Sequence, residues 1–129
     1  MRIIAGTHRG RTIKPPPGRR TRPITDRVRE NLFNILGNAI DGATVADCFA
    51  GTGTMGIEAL SRGADHATFV EKDNYALRVL KDNLHGLEMS DRATVRRSDI
   101  AGRGLPAPPG GRPFDVVFFD PPYRLSETD

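Results

Sequence analysis

The chain is poor in the features that would place it outside a reducing, aqueous compartment. It has one cysteine, Cys48, so no internal disulfide framework is possible. No stretch approaches the ~18 consecutive apolar residues of a membrane span. The opening MRIIAGTHRGR has no apolar core of the length a secretory signal needs. A cytoplasmic location is therefore expected, without a membrane partner. The three histidines, His8, His66 and His85, lie far apart and have no ligand spacing with Cys48, so no metal site is expected. With 129 residues, 37% hydrophobic and 27% charged, the sequence suits one globular domain and is expected to act as a monomer.

Acidic residues are absent from the first 25 positions. There Arg2, Arg9, Arg11, Lys14, Arg19, Arg20 and Arg22 carry +7 of charge. Twelve basic residues then face sixteen acidic ones over the remainder, a balance of −4. A basic arm on a mildly acidic body points to a polyanionic partner, with a solvated tail as the alternative. Within the arm, RIIAG and RTIK can pair as a hairpin turning at His8–Gly10. Pro15-Pro16-Pro17-Gly18 ends any regular element, because proline lacks the backbone donor. The expected division is a basic arm over 1–24 and a ligand-binding domain over 25–129.

The periodicity then turns helical. Val28, Leu32, Ile35, Leu36 and Ala39 recur at the spacing of one helix face, with Thr25 as N-cap and Arg27 and Arg29 directed elsewhere. TVADCF (44–49) reads as a strand, Met55–Arg62 as a helix and ATFV (67–70) as a strand. Asp73 can cap a helix to Leu87 that buries Ala76, Leu77, Leu80, Leu84 and Leu87. Ala93–Arg96 is a weaker strand. Residues 102–113 hold four glycines and four prolines and read as a loop. FDVVFF (114–119) is the most apolar strand. Alternating strands and helices imply an α/β fold with a mainly parallel, Rossmann-like sheet and helices on both faces. FDVVFF reads like an interior strand but would lie at an open edge, so the sheet is expected to be incomplete.

Asp47-Cys48-Phe49-Ala50-Gly51-Thr52-Gly53-Thr54-Met55-Gly56 joins the first body strand to a helix. Gly51, Gly53 and Gly56 match G-x-G-x-x-G, and Glu71, 20 residues beyond Gly51, can accept the ribose hydroxyls of a ligand. The turn by itself fits both NAD and S-adenosylmethionine. Asp47 and the lack of a basic residue nearby favour a ligand bearing an ammonium and a sulfonium over one bearing a pyrophosphate. Lys72 adjoins Glu71, and Ala50 and Thr52 lie in the turn. Asp99 can accept an adenine amino group and Ile100 can cover its ring, although Asp99 taken alone reads as a turn or capping residue.

Asp120-Pro121-Pro122-Tyr123 follows FDVVFF. An exocyclic amino nitrogen on a base is a poor nucleophile, because its lone pair is delocalised into the ring. Two acceptors on its hydrogens, the Asp120 carboxylate and the Pro121 carbonyl, can draw it toward tetrahedral geometry. The Pro121-Pro122 pair stiffens their backbone. Tyr123 can stack on the base. No metal is required. No cysteine lies near the tetrad, which argues against methylation of a base carbon through a covalent adduct.

DCFAGTGTMGIEAL resembles motif I of class I methyltransferases, and DPPY resembles their motif IV, typical of enzymes that methylate base amino groups. Arg2-Ile3-Ile4-Ala5-Gly6, Arg9-Gly10-Arg11, and Arg22-Pro23 with Thr25 to Leu36 resemble the bacterial guanine-(N2)-methyltransferases of 16S ribosomal RNA. The resemblance implies S-adenosylmethionine as donor, S-adenosylhomocysteine as product, and ribosomal RNA or a small-subunit assembly particle as partner. It places Asp47, Gly51 and Gly53 at the methionine end of the donor, Glu71 at the ribose, Asp99 at the adenine and Asp120 to Tyr123 at the target base. The helix from Thr25 would cover the donor pocket. The family continues past DPPY, so the chain is expected to be C-terminally short. Three alternatives remain: a DNA or RNA adenine or cytosine amino-methyltransferase, an NAD-dependent oxidoreductase, and a non-catalytic RNA-binding form of the same fold.

Overall fold

The computed structural model describes residues 1–15 and 25–120. Four strands, β1 (Thr44–Cys48), β2 (His66–Glu71), β3 (Ala93–Arg97) and β4 (Val116–Phe119), form one parallel sheet in the order β3-β2-β1-β4. Parallel neighbours need crossovers rather than hairpins. Helix α2 (Thr54–Ser61) carries the chain from β1 to β2, and α3 (Asn74–Gly86) carries it from β2 to β3. The fold is Rossmann-like, as the sequence indicated. β1, paired on both sides, is buried along its whole length.

One face of the sheet packs Val45, Phe69 and Phe118 against Ile57 and Leu60 of α2 and Leu77, Leu80 and Leu84 of α3. The expected stripe on α3 is thus the buried one, and Asp73 caps the helix by accepting from the Ala76 amide at 2.8 Å. Strand alternation turns Val117 and Phe119 to the opposite side, where they are 45% and 61% exposed. β4 is an edge strand, as its position in the chain suggested.

Helix α1 (Asp26–Leu36) begins where expected, with the Thr25 hydroxyl accepting from Val28 N. Its orientation differs from the expected one. Val28 and Ile35 are exposed, whereas Arg29 and Phe33 are buried. Two tertiary contacts set this rotation. Phe33 packs on Phe118 with ring centroids 5.4 Å apart and lies under the Arg62 guanidinium at 4.8 Å. Arg29 reaches Glu58 on α2 at 3.3 Å, and both side chains are wholly buried. Past Leu36 the chain tightens into a 3-10 turn, Gly37–Ile40. Residues 102–113 are also more ordered than expected. A short helix α4 (Ile100–Arg103) runs into them, and a 3-10 turn forms at Pro109–Gly111.

The two arms of the basic segment pair antiparallel through an Arg2–Thr12 bridge, with Ile3 N donating to Arg11 O and Ile13 N to Met1 O. Ile3 and Ile13 enter the same core as the body. The turn between them docks on the C-terminal ends of α2 and α3. Thr7 N donates to Ser61 O at 2.8 Å, the His8 ring lies 2.9 Å from Leu87 O, and Arg11 donates to Gly86 O at 3.1 Å. Gly6 permits this approach, since its φ is +90° and a side chain there would overlap the Ser61 carbonyl. Pro16, Pro17 and Gly18 of the expected linker lie outside the described residues.

Candidate functional site

The C-terminal ends of parallel strands leave a crevice in which ligands of open α/β sheets bind. The residues singled out on β1, β2, β3 and β4 all arrive at that edge. From β1 the chain turns through Phe49, at φ +56°, and reaches Gly53 at +96°, the residue that opens α2. The positive φ at Gly53 favours glycine, and a side chain there would also displace the Leu80 methyl that packs against the turn. Left-handed Phe49 is strained backbone of the kind that collects at binding sites. Its ring meets Phe119 edge-on at 5.2 Å. Composition and spacing gave no signal for this pair.

Asp47 is buried beneath the turn and accepts from the Gly56 amide at 2.9 Å. Burial pushes its carboxyl up to about 8. The Gly56 bond opposes the shift, and the nearby Glu71 and Asp120 charges add to it. Val70 and Phe119 pair with Cys48 on either side of β1, so Glu71 and Asp120, the next residue in each case, reach the same edge of the sheet as Asp47. Glu71 spans the turn, accepting from Gly51 N at 2.8 Å and Asp73 N at 2.9 Å. Cys48 is buried, and its thiol is pushed up by burial and by Asp47, so it is not a ready thiolate.

Ala50 is buried and ties the turn to β2 through Val70 O at 2.8 Å. Asn83, which sequence reasoning missed, holds Thr52 from behind. Its amide donates to Thr52 O at 3.1 Å and to Lys14 O at 3.2 Å, while its oxygen accepts from Lys14 N at 2.9 Å. One buried amide therefore pins both the turn and the end of the hairpin. A polar position in the otherwise apolar stripe of α3 was its only trace in the sequence.

Asp99 caps α4, accepting from Ala101 N at 3.1 Å, which matches its more modest reading. Asp99 and Lys72 line one open cavity of about 350 Å3 together with Arg97, Ser98 and Arg103. Ile100, half-buried, follows Asp99. Asp120 is exposed just past β4, while Pro121, Pro122 and Tyr123 lie outside the described residues.

The arm is not uniformly near this crevice. Arg2, Arg9 and Arg11 belong to the hairpin, whose turn sits at the far end of α2, about 12 Å along the helix from the glycine turn. Lys14 lies beside Asn83 and so near Thr52. Arg19, Arg20 and Arg22 lie outside the described residues. Among the described residues, no three His, Cys, Asp or Glu side chains are grouped to hold a metal, and no helix is long and apolar enough to cross a membrane.

Known proteins share both sequence and fold. "Putative rRNA methyltransferase YlbH" of Bacillus subtilis is 46% identical over 124 residues, which are 96% of this chain and 67% of that protein. "Ribosomal RNA small subunit methyltransferase D" of Escherichia coli K12 is 42% identical over 131 residues, covering 99% of this chain and 64% of that protein. The solved "Putative methyltransferase yhhF" of Escherichia coli superposes with a TM-score of 0.82 at 44% identity, over 96% of this chain and 65% of that one. The chain thus spans about two thirds of the length of these relatives. Hairpin, glycine turn and β4 all fall within residues 1–128, which match the family described as Conserved hypothetical protein 95, and the chain belongs to that family.

Proposed function

We propose that this chain carries the donor-binding part of an S-adenosylmethionine-dependent methyltransferase acting on small-subunit ribosomal RNA, with the 2-amino group of a guanine as the acceptor. The observation that carries the reading is that Asp47, Glu71 and Asp120 lie at the ends of the adjacent strands β1, β2 and β4 around a glycine turn that has no basic residue of its own. That turn suits a ligand whose methionine end bears two positive charges and suits a pyrophosphate poorly. The names of the relatives, which are rRNA methyltransferases, support the substrate class.

In this reading Asp47, Gly51 and Gly53 line the methionine end, with Ala50 and Thr52 shaping the turn. Glu71 takes the ribose hydroxyls, Lys72 flanks them, and Asp99 and Ile100 meet the adenine. Bound there, S-adenosylmethionine supplies an electrophilic methyl group. Asp120, with Pro121, Pro122 and Tyr123, holds the target base and accepts a hydrogen from its amino group. The arm, from Arg2 to Arg22, supplies phosphate contacts. The target base must be unstacked to reach the crevice, which favours an exposed loop of RNA.

The test is calorimetric titration with S-adenosylhomocysteine and, separately, NADH, repeated on Asp120→Ala. Saturable binding of S-adenosylhomocysteine alone is expected. The variant should retain that affinity within about threefold and lose methyl transfer to rRNA by about 100-fold or more. Binding of NADH alone would overturn the reading in favour of an oxidoreductase. RNA binding with no affinity for S-adenosylhomocysteine would favour a non-catalytic RNA-binding protein.

A further inference from the structure

We propose that Asn83 is a positioning residue for the methionine end of the donor, a role that rests on the reading of the glycine turn as the methionine site. It acts from behind the turn, through the Thr52 carbonyl, rather than by contact with the ligand.

Asn83 is out of keeping with its helix. It lies on the buried face of α3, in one stripe with Leu77, Leu80 and Leu84, and is 4% exposed. Burying a carboxamide is unfavourable unless its polar atoms are partnered, and a leucine in the same stripe would carry no such cost. Here the partners are provided. Nδ2 donates to Thr52 O at 3.1 Å and to Lys14 O at 3.2 Å, and Oδ1 accepts from Lys14 N at 2.9 Å. The side chain is suited to its place by these bonds and not by packing.

The hairpin has other means of support. Ile3 and Ile13 enter the core, the Ile4 and Ala5 amides bond Glu58, and Thr7, His8 and Arg11 bond Ser61, Leu87 and Gly86. Thr52 has no such reserve. It stands between Gly51 at φ +58° and Gly53 at φ +96°, and glycine backbone is the freest to rotate. The Gly51 and Gly53 amides are already bonded, to Glu71 and to Ala50 O, each at 2.8 Å. The direction of the residue between them is the remaining freedom of the turn. Among the described residues, no donor other than Asn83 reaches the Thr52 carbonyl. A turn fixed in advance loses less conformational entropy when its ligand arrives, which raises affinity.

The benefit should fall on one half of the donor. Glu71 and Asp99, assigned to the adenosine half, are steadied by the Asp73 and Ala101 amides, which do not involve Asn83. Gly51 and Gly53, assigned to the methionine end, flank the residue that Asn83 holds. Loss of Asn83 is therefore a loss for the amino-acid end of the ligand, and the adenosine end is spared.

The test measures two ligands by calorimetry on the intact chain, on N83L and on N83S. S-adenosylhomocysteine has both halves, whereas 5′-methylthioadenosine has the adenosine half and lacks the amino acid. N83L keeps an apolar side chain in the stripe and removes every bond of the carboxamide. It should weaken S-adenosylhomocysteine by about tenfold and leave 5′-methylthioadenosine within about twofold of the parent, which also shows that the variant folds. N83S, whose hydroxyl is too short to span Thr52 and Lys14, should show the same split. Unchanged affinity for both ligands in N83L would overturn the inference, because the turn would hold its direction without Asn83. Equal loss of both ligands in N83L and N83S would also sink it, since Asn83 would then support the fold at large. Either result leaves the methyltransferase reading intact. Failure of the parent chain to bind S-adenosylhomocysteine would count against that reading itself, and the role of Asn83 would fall with it.

Discussion

Two buried carboxylates meet at α2, Glu58 within the helix and Asp47 beneath its first turn, and they are treated in opposite ways. Glu58 accepts from the amides of Ile4 and Ala5 at 2.9 and 3.1 Å, from Arg29 at 3.3 Å and from Arg62 at 2.8 Å. Both of its oxygens are paired with donors, and two of those donors are cationic. Asp47 accepts one amide, faces two further carboxylates and is pushed up to about 8. A protein that buries one carboxylate with every partner provided can evidently do so. The contrast marks Glu58 as architecture, tying hairpin, α1 and α2 together. Under the proposed function, Asp47 is the group whose partner comes from outside.

Removing one of the two cationic partners of Glu58 tests the first half of the contrast and should have the largest effect. Arg29→Ala leaves a buried carboxylate facing a cavity, and chemical denaturation should show a loss of about 3–5 kcal/mol. A loss below about 1 kcal/mol would mean that Arg62 and the amides of Ile4 and Ala5 suffice for Glu58.

Asp47→Asn tests the second half and should stabilise the protein. The folded carboxyl titrates near 8 and the ordinary one near 3.8, so the folded state holds a proton that the unfolded state releases. That contribution favours folding in full below about pH 4 and is lost as pH rises through about 8. The asparagine variant keeps an acceptor for Gly56 N and has no such loss. Its advantage over the parent should grow steadily from about pH 4 to about pH 8, read from unfolding curves. S-adenosylhomocysteine affinity should fall in the same variant. Equal pH profiles for parent and variant would remove the distinction between the two carboxylates.

The smallest effect is expected at Asp26. It also pairs with Arg29, at 3.0 Å, but its side chain is 66% exposed. Asp26→Ala should cost at most about 1 kcal/mol in the same denaturation assay. A cost equal to that of Arg29→Ala would shift the hub from the core to the surface.

These contrasts also show which parts of the molecule local sequence could reveal. Thr25, Asp73 and the leucines of α3 were legible because caps and amphipathic stripes depend on neighbours within a turn or two. The facing of α1 was not. Val28 and Ile35 match a stripe by spacing, yet Arg29 and Phe33 are the buried pair, because Glu58 and Phe118 receive them from 29 and 85 positions away. Asn83 was illegible for the same reason, since its partners Lys14 and Thr52 are distant in the chain. At the candidate site, Asp47, the glycines and Glu71 stood out because a strand, a tight turn and a carboxylate recur at fixed spacing. Lys72 and Asp99 stood out singly, but that they share one cavity with Arg97 and Arg103 did not, because separate elements must fold before these side chains meet.

The sheet order carries a consequence for synthesis. β4 pairs with β1 through Val45–Val116, across 71 positions, whereas β1, the glycine turn, β2 and β3 follow one another within residues 44–97. As the chain leaves the ribosome, the elements assigned to the donor emerge together. The strand that delivers Asp120 emerges after them and must dock along an edge already formed. On the proposed reading, the nascent protein completes its donor site before the strand that receives the base is in place.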